Sequence, residues 1–291
     1  MITVPLSTLP PERRGHTPSR DLALRRETLA RAVAAGKWRT SRAPLESTIG
    51  GVRALRFRPD SAAKAVIVHF HGGGFRIGCP EMIGPFAAAL SAECDVEVIC
   101  PDYRLAPEHP MPAALRDGVD VLNTLLRSGA RKLILAGDSA GGGLATSIAA
   151  LCATAGVVLS GLILLSPWLD LTVTDRCYEA NAATDALFSR EAALEAANLY
   201  LQGIAASEPL ASPLFARVTD FPPTFISVGK GEVLAGDAQR LHSMLQAVGV
   251  DSHVLMLADM EHVAITRSFE LPGATQTFEA IATFIDGLLN H

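Results

Sequence analysis

Cysteine is sparse and unpatterned in this chain. Its five cysteines (Cys79, Cys94, Cys100, Cys152 and Cys177) form no Cys-x-x-Cys pair. Their odd number and scattered spacing argue against a disulfide framework and against zinc, and fit a reducing compartment. Basic charge is equally short: 25 Lys and Arg against 30 Asp and Glu give a net charge of −5, with no electrostatic footprint for nucleic acid. No stretch reaches the roughly 18 consecutive apolar residues a membrane span needs. The opening Met1-Ile-Thr-Val-Pro-Leu-Ser-Thr-Leu-Pro-Pro-Glu12 has no basic head and no sustained apolar stretch. No secretory leader is therefore expected, and the expected location is the cytoplasm. Internal repeats and low-complexity linkers are missing. A phosphate loop is missing too, since Gly229-Lys230 lacks both the preceding glycine and the following Ser or Thr.

What is present points to one large α/β domain with an accessory part. The 291 residues are 49% hydrophobic, enough to bury a substantial core. From Val52 onward, apolar strand-like runs alternate with helix-like stretches. Gly161-Leu-Ile-Leu-Leu-Ser-Pro-Trp168 is a continuous apolar run of the kind found in a strand covered on both faces. The alternation predicts a mostly parallel, twisted sheet flanked by helices, with ligands at the C-terminal edge of the strands. It breaks at residues 1–45, which are helical and Arg-rich, and at 172–212, which hold a second helical stretch with Ser189 as N-cap and Glu191 in the first turn. The two are expected to form a helical cap over a catalytic domain made of residues 46–171 and 213–291.

Gly137-Asp-Ser139-Ala-Gly141 lies between a buried strand (Arg131-Lys-Leu-Ile-Leu-Ala136) and a helix rich in small residues (Gly142 to Leu151). Such a strand-turn-helix setting lifts a serine hydroxyl clear of the backbone, as a nucleophile requires. Upstream, His71-Gly72-Gly73-Gly74-Phe75 follows the apolar run Ala65-Val-Ile-Val-His-Phe70. A triple glycine after a strand exposes N–H groups that can hold an oxyanion, and losing one such donor costs about 3–4 kcal/mol of barrier.

These two motifs, together with Tyr103-Arg-Leu-Ala-Pro-Glu108 and Pro112-Ala-Ala-Leu115, resemble the hormone-sensitive-lipase family of α/β-hydrolases, the bacterial family IV esterases. The resemblance runs from about Val52 to the C-terminus, with the first forty or so residues resembling the family's variable cap. It implies an α/β-hydrolase fold and carboxylic-ester hydrolysis by a Ser/acid/His triad, with no metal or organic cofactor. It also implies an oxyanion hole from Gly72, Gly73 and Ala140. The Arg and Glu of the Tyr103–Glu108 block would brace the oxyanion loop.

In α/β-hydrolases the triad runs in the order nucleophile, acid, histidine. His16, His69, His71 and His109 precede Ser139, and His291 is the last residue, expected to be frayed. His242 belongs to an amphipathic helix and His253 to the strand Ser252–Leu257. His262, in the loop Asp259-Met-Glu-His262 just past that strand, is left as the base. For the acid, Glu232 stands where the family commonly has the aspartate of Asp-Pro-Leu. Asp237 is the alternative, but it falls a turn inside the next helix, where its other reading is surface charge.

The expected partner is a small-molecule ester of short or medium acyl chain, lactones included. A modest lid argues against activation at an oil–water interface, and a homodimer is left open. Acyl transfer or amide hydrolysis would use the same acyl-enzyme. A receptor without catalysis would be favoured by loss of the histidine, and His262 is present.

Overall fold

The computed structural model of the protein describes residues 2–290; Met1 and His291, the expected frayed end, lie outside the described residues. The strands are β1 (Leu45–Ile49), β2 (Val52–Phe57), β3 (Val66–Phe70), β4 (Glu97–Pro101), β5 (Leu133–Asp138), β6 (Gly161–Leu165), β7 (Thr224–Gly229) and β8 (Ser252–Leu257). They form one sheet in the order β1-β2-β4-β3-β5-β6-β7-β8. Pairing is parallel from β4 through β8, while β2 runs antiparallel to both β1 and β4.

The period-2 alternation of strand side chains divides the core into two layers. Val68, Phe70, Leu133 and Leu135 face one layer, completed by α3 (Ala113–Arg127), α4 (Ala140–Ala155) and α7 (Ala235–Ala247). Ile67, Ile134, Ala136 and Ile163 face the other, completed by α2 (Gly84–Cys94) and α9 (Ala274–Asn290). Strands buried on both faces need apolar residues at every position, which explains the unbroken run in β6.

Outside this frame lie α1 (Arg20–Ala34), the single turn α5 (Cys177–Ala180) and α6 (Arg190–Leu201); α8 (Ala264–Arg267) is a single turn before α9. Ser189 caps α6 as the sequence predicts, its hydroxyl accepting from the Ala192 N–H. The expectation that residues 1–45 are helical holds for α1 and one short 3₁₀ turn; the other described residues up to Pro44 lie outside helices, and Leu45 already begins β1. Among the described residues, no helix is long and apolar enough to cross a membrane.

Candidate active site

Ser139 stands where β5 passes into α4, with φ 52° and ψ −121°. A side chain there is strained, and close backbone packing enforces the turn. A Cβ at Gly137 would lie 2.2 Å from the Gly141 carbonyl oxygen, and one at Gly141 would lie 2.0 Å from that of Phe70. Only glycine lets strand, turn and neighbouring loop approach so closely.

Two further strand ends bring a histidine and a carboxylate up to Ser139. His262 follows β8, and its Nε2 lies 3.0 Å from Ser139 Oγ. Its Nδ1 lies 2.7 Å from Oε2 of Glu232, the third residue past β7. With the proton on Nδ1, the imidazole donates to Glu232 and leaves Nε2 free to accept the serine hydroxyl. The second Glu232 oxygen, Oε1, accepts from the Gly229 N–H at 2.5 Å and from Ser166 Oγ at 2.8 Å. A carboxylate 1% exposed thus has both oxygens satisfied, as burial demands. Burial alone would depress the His262 pKa. The hydrogen bond and charge of Glu232, with smaller contributions from Asp185 and Asp138, outweigh it and hold the group above its ordinary 6.5.

Asp237, the alternative acid, is committed elsewhere. Its Oδ2 accepts the N–H groups of Leu169 at 2.7 Å and Asp170 at 3.0 Å. The reading of Asp237 as surface charge is corrected, because the side chain is 1% exposed. It anchors the loop after β6, and burial pushes its pKa up to about 8.

The glycine loop after β3 also departs from expectation at one residue. The Gly72 N–H donates to Asp138 Oδ2 at 3.0 Å, while Asp138 Oδ1 lies 2.9 Å from His69 Nε2. A donor already bound to a buried carboxylate is not free for an oxyanion, so Gly72 drops out of the expected set. Among the described residues the N–H groups of Gly73, Gly74 and Ala140 have no hydrogen-bond partner. The expected brace differs as well. Tyr103 Oη donates to the His71 carbonyl at 2.6 Å and its ring stacks on His71 with centroids 4.3 Å apart. Arg104 instead pairs with Asp117 and Glu12. Glu108 acts at one remove, through Arg26, which also donates to the Arg76 and Ala106 carbonyls.

Ser139 and His262 open onto a cavity of about 680 Å³, lined among others by Leu22, Trp38, Leu187 and Phe188. The Phe188 ring lies nearly parallel to His262 with centroids 5.8 Å apart. Among the described residues, no group of three His, Cys, Asp or Glu side chains is arranged to hold a metal ion. Ser166, Asp138 and Tyr103 went unassigned from the sequence. Asp138 and Tyr103 sit inside motifs already singled out, whereas Ser166 gave no signal beyond ending an apolar strand.

This geometry is that of a hydrolase built around an activated serine, and comparison with known proteins agrees. The family described as alpha/beta hydrolase fold matches residues 67–266. An esterase of Acinetobacter venetianus is 34% identical over 244 residues, covering 82% of this chain and 80% of that protein. An acetyl-hydrolase of Streptomyces hygroscopicus is 31% identical, covering 82% and 81%. The crystal structure of an esterase from the bacterial hormone-sensitive lipase family superposes with a TM-score of 0.87 at 31% identity, over 94% of this chain and 93% of that one. A structure of the protein EstE5, soaked with p-nitrophenyl butyrate, gives a TM-score of 0.85 at 30% identity, over 97% and 95%. The chain belongs to the α/β-hydrolase family, on its hormone-sensitive-lipase-like branch. Within that branch it is a carboxylesterase, a serine hydrolase acting on carboxylic esters.

Proposed function

We propose that this enzyme cleaves small carboxylic esters, and lactones that fit the same cavity, through an acyl-enzyme on Ser139, with His262 as base and Glu232 as its orienting acid. The observation that carries the reading is the unbroken chain from Ser139 Oγ to His262 Nε2 at 3.0 Å and from His262 Nδ1 to Glu232 Oε2 at 2.7 Å. Ser139 Oγ attacks the acyl carbon while His262 takes its proton. The tetrahedral intermediate collapses as His262 returns that proton to the departing alkoxide. Water, deprotonated by His262, then attacks the acyl-enzyme and releases the carboxylate, restoring Ser139. The uncommitted N–H groups of Gly73, Gly74 and Ala140 are the donors available to the oxyanion.

Residues 1–45 and 172–212 are read as one lid. In support, Leu22 and Trp38 from the first segment and Leu187 and Phe188 from the second line the same cavity. Arg13 also donates to the carbonyls of Leu201 at 2.6 Å and Gln202 at 2.7 Å. A partly enclosed cavity of about 680 Å³ favours short acyl chains over a lipid-docking surface. The five free cysteines are consistent with a reducing cytoplasm.

The test is a p-nitrophenyl ester series from acetate to dodecanoate, run with competing alcohols and with matched amides. Hydrolysis falling with chain length is expected, together with labelling of Ser139 by a fluorophosphonate. Failure to turn over any ester, or labelling away from Ser139, overturns the mechanism. Amides cleaved faster than esters would overturn the substrate class.

A further inference from the structure

Beyond the catalytic cavity lies a second one of about 410 Å³ with Leu55, Phe57, Val33 and Thr40 on its walls. Leu55 and Phe57 come from β2 and are 5% and 4% exposed, so they form a fixed apolar floor. The two cavities share a single lining residue, Trp38. Consecutive residues on each side divide between them. Lys37 faces the catalytic cavity and Arg39 the second; Met82 and Ile83 face the catalytic cavity and Gly84 the second. The partition is close-packed: a Cβ at Gly84 would lie 3.2 Å from the Trp38 carbonyl oxygen and 3.6 Å from the Phe57 ring. The Lys37 ammonium sits 4.9 Å from the centre of the Trp38 ring, adding a cation–π contact that holds the wall.

We propose that Trp38 sets the length limit for the substrate's alkyl tail, and that the second cavity is a ready apolar subsite closed off by this one indole. The inference rests on the ester-hydrolysis reading above and names the residue that fixes its chain-length preference. Each methylene moved from water into an apolar site is worth roughly fourfold in binding, so an open second cavity would reward long tails and a closed one rejects them.

The experiment compares wild type, Trp38→Ala and Trp38→Leu on two ladders: p-nitrophenyl esters from butyrate to dodecanoate, and alkyl butyrates of matching length. In Trp38→Ala the ratio of kcat/KM for the C10 over the C4 member should rise at least about tenfold on one ladder, carried by KM. Trp38→Leu should fall between. The ladder that shifts tells whether the tail belongs to the acyl or the alcohol half. Trp38→Ala/Thr40→Phe, which refills the second cavity, should restore the wild-type cut-off. An unchanged ratio in both single variants, at melting temperatures near wild type, overturns the proposal. So does a shift that Thr40→Phe does not reverse, since that reports a loosened lid rather than an occupied cavity. If wild type hydrolyses neither ladder, the ester reading itself fails. The role of Trp38 is then read from labelling of Ser139 by C4 and C10 alkylphosphonates, where the same ratio change is expected and its absence overturns the proposal.

Discussion

Ser166 Oγ donates to Glu232 Oε1 at 2.8 Å and accepts the Val263 N–H at 3.1 Å. One buried hydroxyl therefore joins the loop carrying Glu232 to the loop carrying His262, from a third strand end. Ser166 itself holds φ 46°, a conformation costing of order 1–3 kcal/mol that persists where the surroundings impose it. Ser166→Ala should remove both bonds at once and leave the Val263 N–H without its partner. We expect kcat to fall roughly ten- to thirtyfold, about 1–2 kcal/mol, with KM nearly unchanged. Initial-rate kinetics on a short p-nitrophenyl ester would show it. An equal rise in KM would mean that the hydroxyl shapes the pocket rather than the triad.

Glu232→Gln keeps the volume but removes the charge facing His262. Loss of turnover by up to about 10⁴ is expected, as when the orienting carboxylate of a serine protease is neutralised. The pH profile supplies a second readout. His262 must be neutral to act as base, and its raised pKa puts the acid limb of kcat/KM above pH 6.5 in the wild type. Without the Glu232 charge the depressing effect of burial is less opposed, so the limb should move to lower pH. A limb that stays in place would deny the electrostatic role.

Asp237 should matter to stability rather than to chemistry. Its pKa is pushed up to about 8 in the folded protein, mainly by burial, against 3.8 as the ordinary value. The folded state therefore holds this proton more tightly than the unfolded chain. The resulting stability is complete below about pH 4 and is lost as pH rises towards 8. Asp237→Asn cannot titrate and keeps an acceptor for the Leu169 and Asp170 N–H groups. The wild-type minus variant difference in Tm should thus fall from pH 5 to about pH 8 and level off above it. A pH-independent difference in thermal melts would contradict this.

Tyr103→Phe retains the ring stacked on His71 and deletes the 2.6 Å bond to its carbonyl. The glycine loop should loosen while the fold survives. A fall in kcat of about tenfold is expected, with a loss of roughly 1 kcal/mol in urea unfolding. Unaltered kcat would limit Tyr103 to packing.

Arg104→Gln makes the opposite case. The guanidinium ties Glu12 and Asp117 and has no bond to the glycine loop. We expect lower stability with kcat unchanged to within about twofold, because a half-exposed ion-pair network contributes on the order of 1 kcal/mol. Thermal melts paired with initial rates separate the two effects.

Much of this protein was legible in order along the chain. Strand alternation is a local property, and a strand covered on both faces must be apolar throughout, so β6 could be read directly from Gly161–Leu165. The elbow around Ser139 was legible because its glycines answer steric demands within five residues. His262 was reached by elimination and by its place after a strand. The sequence could not decide what depends on which loops meet. Gly72 and Gly73 are alike as residues, yet only Gly72 spends its N–H on Asp138, a carboxylate 66 positions away. Asp237 resembles any acid in a first helical turn until the loop after β6 folds over it. Ser166 has no motif at all, and its role exists only because three parallel strands end side by side. Local sterics and periodicity are written into neighbouring residues, whereas hydrogen-bond partners between distant loops are fixed by the packing of the whole sheet.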